Sequence, residues 1–306
     1  MKPFFSVIIP TYNQAQLLKE CLESLELQTF SDFEVVIVDN HSTDDTLEVV
    51  SSFKNLRVNL LEINNEGVVA KSRNKGIKEA KGEWVCLLDS DDSWFAEKLE
   101  EVYNKIQASQ IVDVVSHCMV LNRVTTGQQS IMKWDFSFDN LYKFLLLHGN
   151  KFVNSALCIR RNYLVEHNIW INEEKKFKSV EDYDMIMNIA RTGGVFAYVN
   201  KPLGYYNVYG GNMSMSDFHL VNLENLLYEH VFYIQTFEQN KDKLWKEVRA
   251  GVFIKRANSF LRKKQYLKSL VLYFRCVILS PRRFFRYLKD RIKLLFFRLQ
   301  YRFIKK

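Results

Sequence analysis

The chain of 306 residues is long enough for two domains, or for one large domain with an appendage, since a domain holds roughly 150 residues. Its composition is 47% hydrophobic and 25% charged with only 11 Gly and 4 Pro, which excludes a disordered or collagen-like chain. The net charge of +8 combines −8 over residues 1–250 with +16 over residues 251–306, and such a basic end favours contact with an anionic surface, either lipid headgroups or nucleic acid.

The first ninety residues alternate between strand and helix patterns. Short β-branched or Leu-rich runs, typical of strands buried on both faces, lie at residues 5–9, 33–38, 58–61 and 84–88. Amphipathic helix periods lie between them, from Leu17 to Leu25, over residues 43–53 and over residues 67–80. This order predicts an α/β fold, in which a mostly parallel central sheet is flanked by helices and joined by right-handed crossovers.

Residues 110–210 are less regular and continue the same domain. Two strand-like runs, a helix and a glycine pair that caps it are predicted at residues 114–124, 156–160, 181–191 and 193–194. From about His219 onward the pattern is wholly helical. We therefore predict a first domain over residues 1–218 and a helical, strongly basic appendage over residues 219–306.

Polar and acidic side chains follow three of the predicted strands, at the edge where parallel sheets bind ligands. They are Pro10, Thr11, Tyr12 and Asn13 after the first strand, Asp39 after the second, and Asp89, Ser90, Asp91 and Asp92 after the fourth. Neither G-x-G nor G-x-x-x-x-G-K-[ST] occurs in this segment, which excludes a dinucleotide fingerprint and a phosphate-binding P-loop. The ligand site is therefore predicted at this edge, with a different chemistry.

Three carboxylates crowd the four positions after the fourth strand, at Asp89, Asp91 and Asp92. Their mutual repulsion is unfavourable unless a cation neutralises it, and oxygen ligands suit Mg²⁺ or Mn²⁺. Mg²⁺ is usually held by one or two carboxylates plus substrate phosphates. The alternative is that Asp92 or Ser93 caps a helix starting near Trp94 and that the other acids are solvated.

Glu181 and Asp182 open a predicted helix, and a carboxylate there could serve as a general base. The alternative is a capping box formed by Ser179 and Asp182, because acids in a first turn also complement the helix dipole. Arg73 lies on the third helix and faces the same edge; Arg suits bidentate phosphate contact, yet most surface Arg residues are solvated or paired.

Taken together, these segments resemble a family 2 glycosyltransferase with the Rossmann-like GT-A fold, of the type that builds bacterial surface polysaccharides. The resemblance covers about the first 210 residues and runs in order through residues 5–13, 28–30, 33–39, 42–44, 67–76, 82–83, 87–92 and 181–182. Each segment is short, and their joint order and spacing make the match specific.

The resemblance implies a metal-dependent, inverting transfer of a sugar from a nucleotide-sugar donor, expected to be a UDP-sugar, to a hydroxyl of a lipid-linked or polysaccharide acceptor. It implies that Asp182 is the catalytic base and that Asp91 and Asp89 bind Mn²⁺ or Mg²⁺. Asp39 is expected near the base of the nucleotide, and Asp89 near its ribose. The full set of expected donor contacts is Pro10, Thr11, Tyr12, Asn13, Asp39, Arg73, Asp89, Ser90 and Glu181.

One segment departs from the family pattern. Many relatives have a Tyr-Arg-x-His-like run after the last strand, whereas this chain has YNVY over residues 206–209. In this chain Tyr209 stands where the family pattern has that His, so a contact of the His with the metal or the diphosphate has no direct counterpart here. Asn212 or Ser214 is the substitute that we expect to close over the donor.

Residues 251–306 interleave Arg and Lys with Phe, Tyr and Leu, most clearly over residues 284–298. Such a helix could lie on an anionic membrane, or it could pack its aromatic side chains on the first domain and leave its charges solvated. Nucleic acid is not expected as a partner, and the oligomeric state is left open.

The cysteines and apolar runs bear on the compartment. Five scattered Cys without a C-x-x-C support neither a disulfide framework nor a zinc site, so a reducing cytosol fits best. Residues 269–280 form the longest apolar stretch near the basic end, about twelve residues against the roughly 20 of a bilayer span, and no secretory signal is visible. We expect a cytoplasmic protein at the inner face of the cell membrane, acting in capsule, lipopolysaccharide O-antigen or exopolysaccharide synthesis.

Two rival functions remain open from the sequence. One is a non-catalytic module that keeps the nucleotide-sugar fold and binds partners or membrane without turnover. The other is a two-metal nucleotidyltransferase, in which Glu181 and Asp182 would have no role.

Overall fold

The structure, a computed structural model, describes residues 2–134, 139–209 and 217–304, with the side chains of residues 217 and 294–304 left undescribed. The chain divides into two compact units. The first unit comprises Met1–Tyr142 and Asn150–Met215, and the second comprises Lys143–Gly149 and Ser216–Lys306. The second unit thus takes in residues 143–149, which the sequence analysis places in the first domain.

Strands and helices alternate along the first part of the chain, and helices alone follow. The strands are β1 (Phe5–Thr11), β2 (Phe33–Asp39), β3 (Val58–Glu62), β4 (Trp84–Leu87), β5 (Ser93–Trp94), β6 (Val114–Arg123), β7 (Gln128–Met132), β8 (Cys158–Arg160) and β9 (Phe196–Val208). The helices are α1 (Ala15–Glu26), α2 (Thr46–Ser52), α3 (Val69–Glu79), α4 (Lys98–Gln107), α5 (Leu141–His148), α6 (Arg161–Glu166), α7 (Glu181–Arg191), α8 (Asp217–Glu229), α9 (Lys241–Arg262), α10 (Tyr266–Leu279) and α11 (Pro281–Ile304).

One sheet organises the first unit, in the strand order β3-β2-β1-β4-β8-β6-β9-β5, with β7 paired to β6. The pairs among β3, β2, β1 and β4 are all parallel, as their alternation with helices predicts. Strand β8 pairs antiparallel with β4 and with β6, and β6 pairs parallel with β9. The predicted α/β fold with a central parallel sheet and flanking helices is therefore confirmed, and so are the C-terminal helices.

Helices cover both faces of the central strands, which explains why β1 is buried along its whole length. On one face Val7 and Ile9 join a core cluster with Leu18 and Leu22 of α1. On the other face α3 approaches so closely that a Cβ at Gly76 would overlap the Ile8 side chain. Burial of each large apolar side chain stabilises the folded state by about 1.5–3 kcal/mol. The strands that carry the polar residues at their ends are therefore firmly packed.

Two predicted helix boundaries move in the structure. Helix α2 begins at Thr46 instead of residue 43, because Asp44 uses its Oδ1 to accept hydrogen bonds from the backbone and the hydroxyl of Thr46. The alternative in which Asp92 or Ser93 caps a helix starting near Trp94 is wrong. Ser93–Trp94 forms strand β5, which pairs with β9, and α4 begins only at Lys98.

The second unit consists of helices packed on one another. Ala250, Phe253 and Ile254 of α9 form a small core with Cys276 of α10. The hydroxyl of Ser269 on α10 donates to the backbone carbonyl of Ala257, which holds the two helices together. Among the helices that the structure describes, none is both long enough and apolar enough to span a bilayer.

Candidate active site

An open cavity of about 580 Å³ lies in the first unit where the central parallel strands end. Of the eleven residues that the sequence analysis assigns to catalysis, the metal or the donor, nine line it: Pro10, Thr11, Tyr12, Arg73, Asp89, Ser90, Asp91, Glu181 and Asp182. They come from the ends of β1 and β4, from α3 and from the start of α7, because parallel strands bring their carboxyl ends to the same edge. The structure thus brings together residues that are up to 172 positions apart in the sequence.

Asn13 and Asp39 do not line the cavity. Asp39 is 1% exposed, and its two carboxylate oxygens accept hydrogen bonds from the backbone N–H of Ser42 (3.0 Å) and from the Ser42 hydroxyl (2.5 Å). The side-chain oxygen of Asn13 accepts from the backbone N–H of Thr43 at 2.7 Å. Both residues therefore hold the loop after β2, and the neighbouring Asn40 reaches the cavity instead.

Arg73 is the hub of the charged groups in the cavity. Its guanidinium donates from Nη2 to Asp89 Oδ1 (2.6 Å) and from Nη1 to Glu181 Oε1 (3.1 Å). Burial alone would lower the pKa of Arg73, but the carboxylates of Asp89 and Glu181 raise the pKa above its usual value. With 5% exposure, Arg73 is not the solvated surface residue of the alternative interpretation.

Asp92 is a structural brace and not a helix cap. Its side chain is buried, and it accepts hydrogen bonds from the Ser155 hydroxyl at 2.5 Å and from the backbone N–H of Asn207 at 2.9 Å. Ser155 also accepts from the backbone N–H of Asp89, and the Asn207 amide group donates to the carbonyl of Asp91. The turn after β4 is thereby fixed from two directions.

Asp91 and Asp89 fit a divalent cation. Burial first, and the negative charge of Asp89 second, raise the pKa of Asp91 to about 6. A divalent cation would neutralise two carboxylates crowded in this way, and Mg²⁺ commonly takes one or two carboxylates with the remaining ligands from water and phosphate. No group of three or more His, Cys, Asp and Glu side chains that could hold a metal occurs in the described ranges, so these two carboxylates would need such added ligands.

Asp182 lies in the first turn of α7, and its pKa is raised. Burial raises the pKa of Asp182 to about 7, the charge of Glu181 adds to the shift, and Arg73 opposes it. The residue before the helix is Val180, which makes no side-chain cap, so the N-cap is not Ser179 as the alternative of a capping box requires. A partly accessible carboxylate with a pKa near 7 has the properties of a general base.

Several cavity residues escaped the sequence analysis. Gln14 accepts a hydrogen bond from the Ser90 hydroxyl at 2.6 Å, and Asn65 and Asn154 also line the cavity. Asn154 could not be found from periodicity, because it lies in an irregular segment that reaches the cavity only through the pairing of β8 with β4.

Four buried polar atoms of cavity-lining residues lack partners. Within the described part of the chain, Thr11 Oγ1, Arg73 Nε, Asn154 Oδ1 and Glu181 Oε2 have no hydrogen-bond partner. Leaving a buried polar atom unpaired costs about 1–3 kcal/mol, so these atoms mark places where a polar ligand would be stabilising.

The segment that departs from the family pattern also reaches the cavity. Tyr206 and Tyr209 both line it, and burial first, followed by the charges of Glu20 and Asp91, raises the pKa of Tyr209. Tyr209, the position where the family pattern predicts a His, therefore lies at the cavity. Asn212 and Ser214 lie outside the described residues.

Three findings relate the chain to known proteins. Residues 6–168 match the family model described as Glycosyl transferase family 2. The chain is 28% identical over 243 residues to an uncharacterized glycosyltransferase of Haemophilus influenzae, a match that covers 78% of this chain and 79% of that protein. It is 27% identical over 213 residues to the amylovoran biosynthesis glycosyltransferase AmsB of Erwinia amylovora, a match that covers 67% of this chain and 69% of that protein. It is also similar to the crystal structure of S. aureus TarS 1-349 in complex with UDP-GlcNAc, with a TM-score of 0.66, 26% identity and coverage of 89% of this chain and 81% of that chain.

Proposed function

The chain belongs to glycosyl transferase family 2, as its sequence resemblance predicts, and we propose that it transfers a sugar from a UDP-sugar to an acceptor hydroxyl with inversion. It is a glycosyltransferase that uses a nucleotide-sugar donor. The observation that carries the finer proposal is that Asp91 and Asp182 line one cavity, beside an Arg73 that bridges Asp89 and Glu181. A UDP donor is supported by the TarS complex with UDP-GlcNAc.

The donor is held by residues from both ends of the cavity. We assign to Thr11 Oγ1, which has no partner among the described residues, one hydrogen bond with the nucleotide. Tyr12 is 54% exposed beside it and offers a ring on which the base can stack. Arg73 faces the diphosphate with a cationic group that is already fixed by two carboxylates, so little side-chain entropy is lost on binding.

Asp91, with Asp89, would hold Mn²⁺ or Mg²⁺. A divalent ion there would stabilise negative charge on the diphosphate leaving group. Asp92, Ser155 and Asn207 keep the Asp91 carboxylate in place by fixing the turn that carries it.

Asp182 removes the proton from the acceptor hydroxyl. The hydroxyl oxygen attacks the anomeric carbon from the face opposite the diphosphate, the bond from that carbon to the phosphate oxygen breaks, and UDP leaves with the electron pair. One displacement inverts the configuration and needs only one carboxylate in contact with the reacting atoms. A base with a pKa near 7 can both accept this proton and release it to water.

The acceptor is proposed to be lipid-linked or a growing polysaccharide, in the synthesis of capsule, lipopolysaccharide O-antigen or exopolysaccharide at the cytoplasmic face of the membrane. The name of AmsB supports a polysaccharide pathway, and the +16 charge of residues 251–306 supports an anionic membrane nearby. The raised pKa of Asp182 at a cavity favours catalysis over the rival of a non-catalytic module, because such acids cluster at catalytic sites.

The test is the release of UDP from a panel of UDP-sugars by the wild type, Asp91→Ala and Asp182→Asn. We expect Asp182→Asn to lower kcat by about 10²–10⁴ while stabilisation by UDP is retained. Asp91→Ala is expected to lose the dependence on Mn²⁺. Asp45→Asn and Asp45→Ala are matched controls, because Asp45 is exposed and lies outside the cavity. Equal rates in all variants would remove both assignments, and a wild type that binds UDP-sugars without turnover would favour the non-catalytic module.

A further inference from the structure

Helix α10 has a buried inner face and an exposed outer face that is also apolar. Ser269 and Cys276 face the inside of the second unit, where Cys276 packs with α9. The outer face of α10 consists of five exposed apolar residues, which are Leu267 (74% exposed), Leu270 (65%), Val271 (45%), Phe274 (65%) and Ile278 (66%).

The spacing of these five residues makes a single stripe. At about 100° per residue they fall within an arc of roughly 100° on the helix surface, on the side away from Ser269 and Cys276. A helix that faces water on that side would carry polar residues there. Contiguous exposed apolar surface of this kind marks a place of interaction with another body.

Basic residues border this stripe. Lys268 and Arg275 lie next to it on the helix surface, and Lys263 and Lys264 precede the helix. The sequence has no acidic residue from position 248 to position 289. An apolar stripe edged by cations is complementary to lipid tails beneath anionic headgroups.

Helix α11 repeats the arrangement. Phe285, Leu288 and Ile292 are exposed at helical spacing. The exposed cations Arg286 and Lys289 lie beside them. The sequence analysis places the membrane-binding pattern in residues 284–298 of α11, whereas the larger exposed stripe belongs to α10.

Two other occupants fit the outer face of α10 less well. A second copy of the chain packed symmetrically on this face would bring the same cations together, and like charges across an interface are unfavourable. Nucleic acid would be attracted to the cations, but it gains little from aliphatic side chains such as Leu267, Leu270 and Ile278.

We infer that the outer face of α10 docks the enzyme on an anionic bilayer, with Leu270 and Phe274 among the lipid tails and Lys268 and Arg275 at the headgroups. This inference rests on the proposed membrane location of the reaction and names the surface responsible for it. Because a single amphipathic surface binds reversibly, attachment and release can both occur.

The test is sedimentation of the full chain with vesicles of phosphatidylglycerol and phosphatidylcholine, compared with vesicles of phosphatidylcholine alone. We expect the wild type to sediment with the anionic vesicles and the double variant Leu270→Glu with Phe274→Glu to partition at least about tenfold more weakly. Ile111→Glu is the matched control, because Ile111 is 72% exposed in the first unit. A second measurement is the fluorescence of Phe274→Trp, which should shift to the blue and be quenched by brominated lipids.

Three outcomes would overturn the inference: unchanged sedimentation of the double variant, loss of an oligomer in solution when the double variant is made, and binding of the wild type to RNA in place of vesicles. A failure of the proposed function is distinguished from a failure of this inference by a separate measurement. UDP release without vesicles tests catalysis and is expected to be equal in the wild type and the double variant, since neither substituted residue lies at the cavity.

Discussion

At the scale of a single residue, Arg73 determines which carboxylates of the cavity are paired with a cation. Its guanidinium neutralises Asp89 and Glu181, whose carboxylates would otherwise face each other inside the protein. Asp91 and Asp182 are left without such a direct ion pair in the described residues, and their pKa values are raised to about 6 and about 7. The proposed metal site at Asp91 and the proposed general base at Asp182 rest on this difference in charge pairing.

Replacement of Arg73 by Met removes the shared cation and leaves two carboxylates buried. Because breaking a buried ion pair in this way costs about 3–5 kcal/mol, we expect the free energy of unfolding of Arg73→Met to fall by that amount in urea denaturation. Lys71→Met is the matched control on the same helix, since Lys71 pairs with the exposed Glu66 and such surface pairs contribute about 0–1 kcal/mol. Equal losses in the two variants would show that the Arg73 bridge does not organise the cavity.

The pH dependence of the reaction follows from Asp182. Only the carboxylate accepts a proton, so kcat is expected to rise with pH through about 7 and to level above it. The pKa of Asp182 in the folded state lies above its value of 3.8 in the unfolded chain, so the folded state binds a proton more tightly. The free energy of unfolding therefore falls as the pH rises from the unfolded pKa to the folded pKa of about 7. Asp182→Asn should remove this fall, raising Tm relative to the wild type more at about pH 8 than at about pH 5. Kinetic and thermal profiles that are identical for the two proteins would contradict the assignment.

At the scale of elements, the turn after β4 is clamped by parts of the chain that follow it much later. The segment before β8 supplies Ser155, and β9 supplies Asn207. Both bond to Asp92, so the position of the neighbouring Asp91 depends on the pairing of these strands.

Ser155→Ala tests this clamp. The change leaves a buried carboxylate oxygen of Asp92 without its hydroxyl donor, so we expect a loss of about 1–3 kcal/mol in the free energy of unfolding and a weaker response of UDP binding to Mn²⁺. Ser52→Ala is the control, because the exposed Ser52 hydroxyl bonds only to the helix carbonyl of Val49. A full Mn²⁺ response in Ser155→Ala would show that the clamp does not position Asp91.

The same elements explain what sequence reasoning could and could not find. Strands β1, β2 and β4 were predictable because burial on both faces selects continuous apolar runs. The expected roles of Asp91 and Asp182 came from the family resemblance and stay predictions, although both residues line the cavity. Strand β5 was missed because it exists only through its pairing with Gly204 and Tyr205 on β9. Asn154 was missed for the same reason, since nothing local in the sequence marks a residue that non-local strand pairing brings to a cavity.

At the scale of the whole molecule, charge is divided along the chain between an acidic part of −8 and a basic end of +16. If the basic end meets anionic lipid, binding to vesicles should weaken as salt rises from about 0.05 M to about 0.5 M, because the Debye length falls to a few Å over that range. Sedimentation across this salt series checks the prediction, with UDP release measured in parallel. Vesicle binding that does not change with salt would mean that the charge of residues 251–306 plays no part in it.

The central claim is that the turn after β4 binds a divalent ion through Asp91 and that this ion meets the diphosphate of the donor. The most direct measurement is anomalous scattering from a crystal of the full chain grown with Mn²⁺ and UDP. We predict a manganese peak between the Asp91 carboxylate and the diphosphate, with Arg73 still bonded to Asp89 and Glu181. UDP bound in the cavity with no manganese beside Asp91, or UDP bound elsewhere on the protein, would contradict the claim.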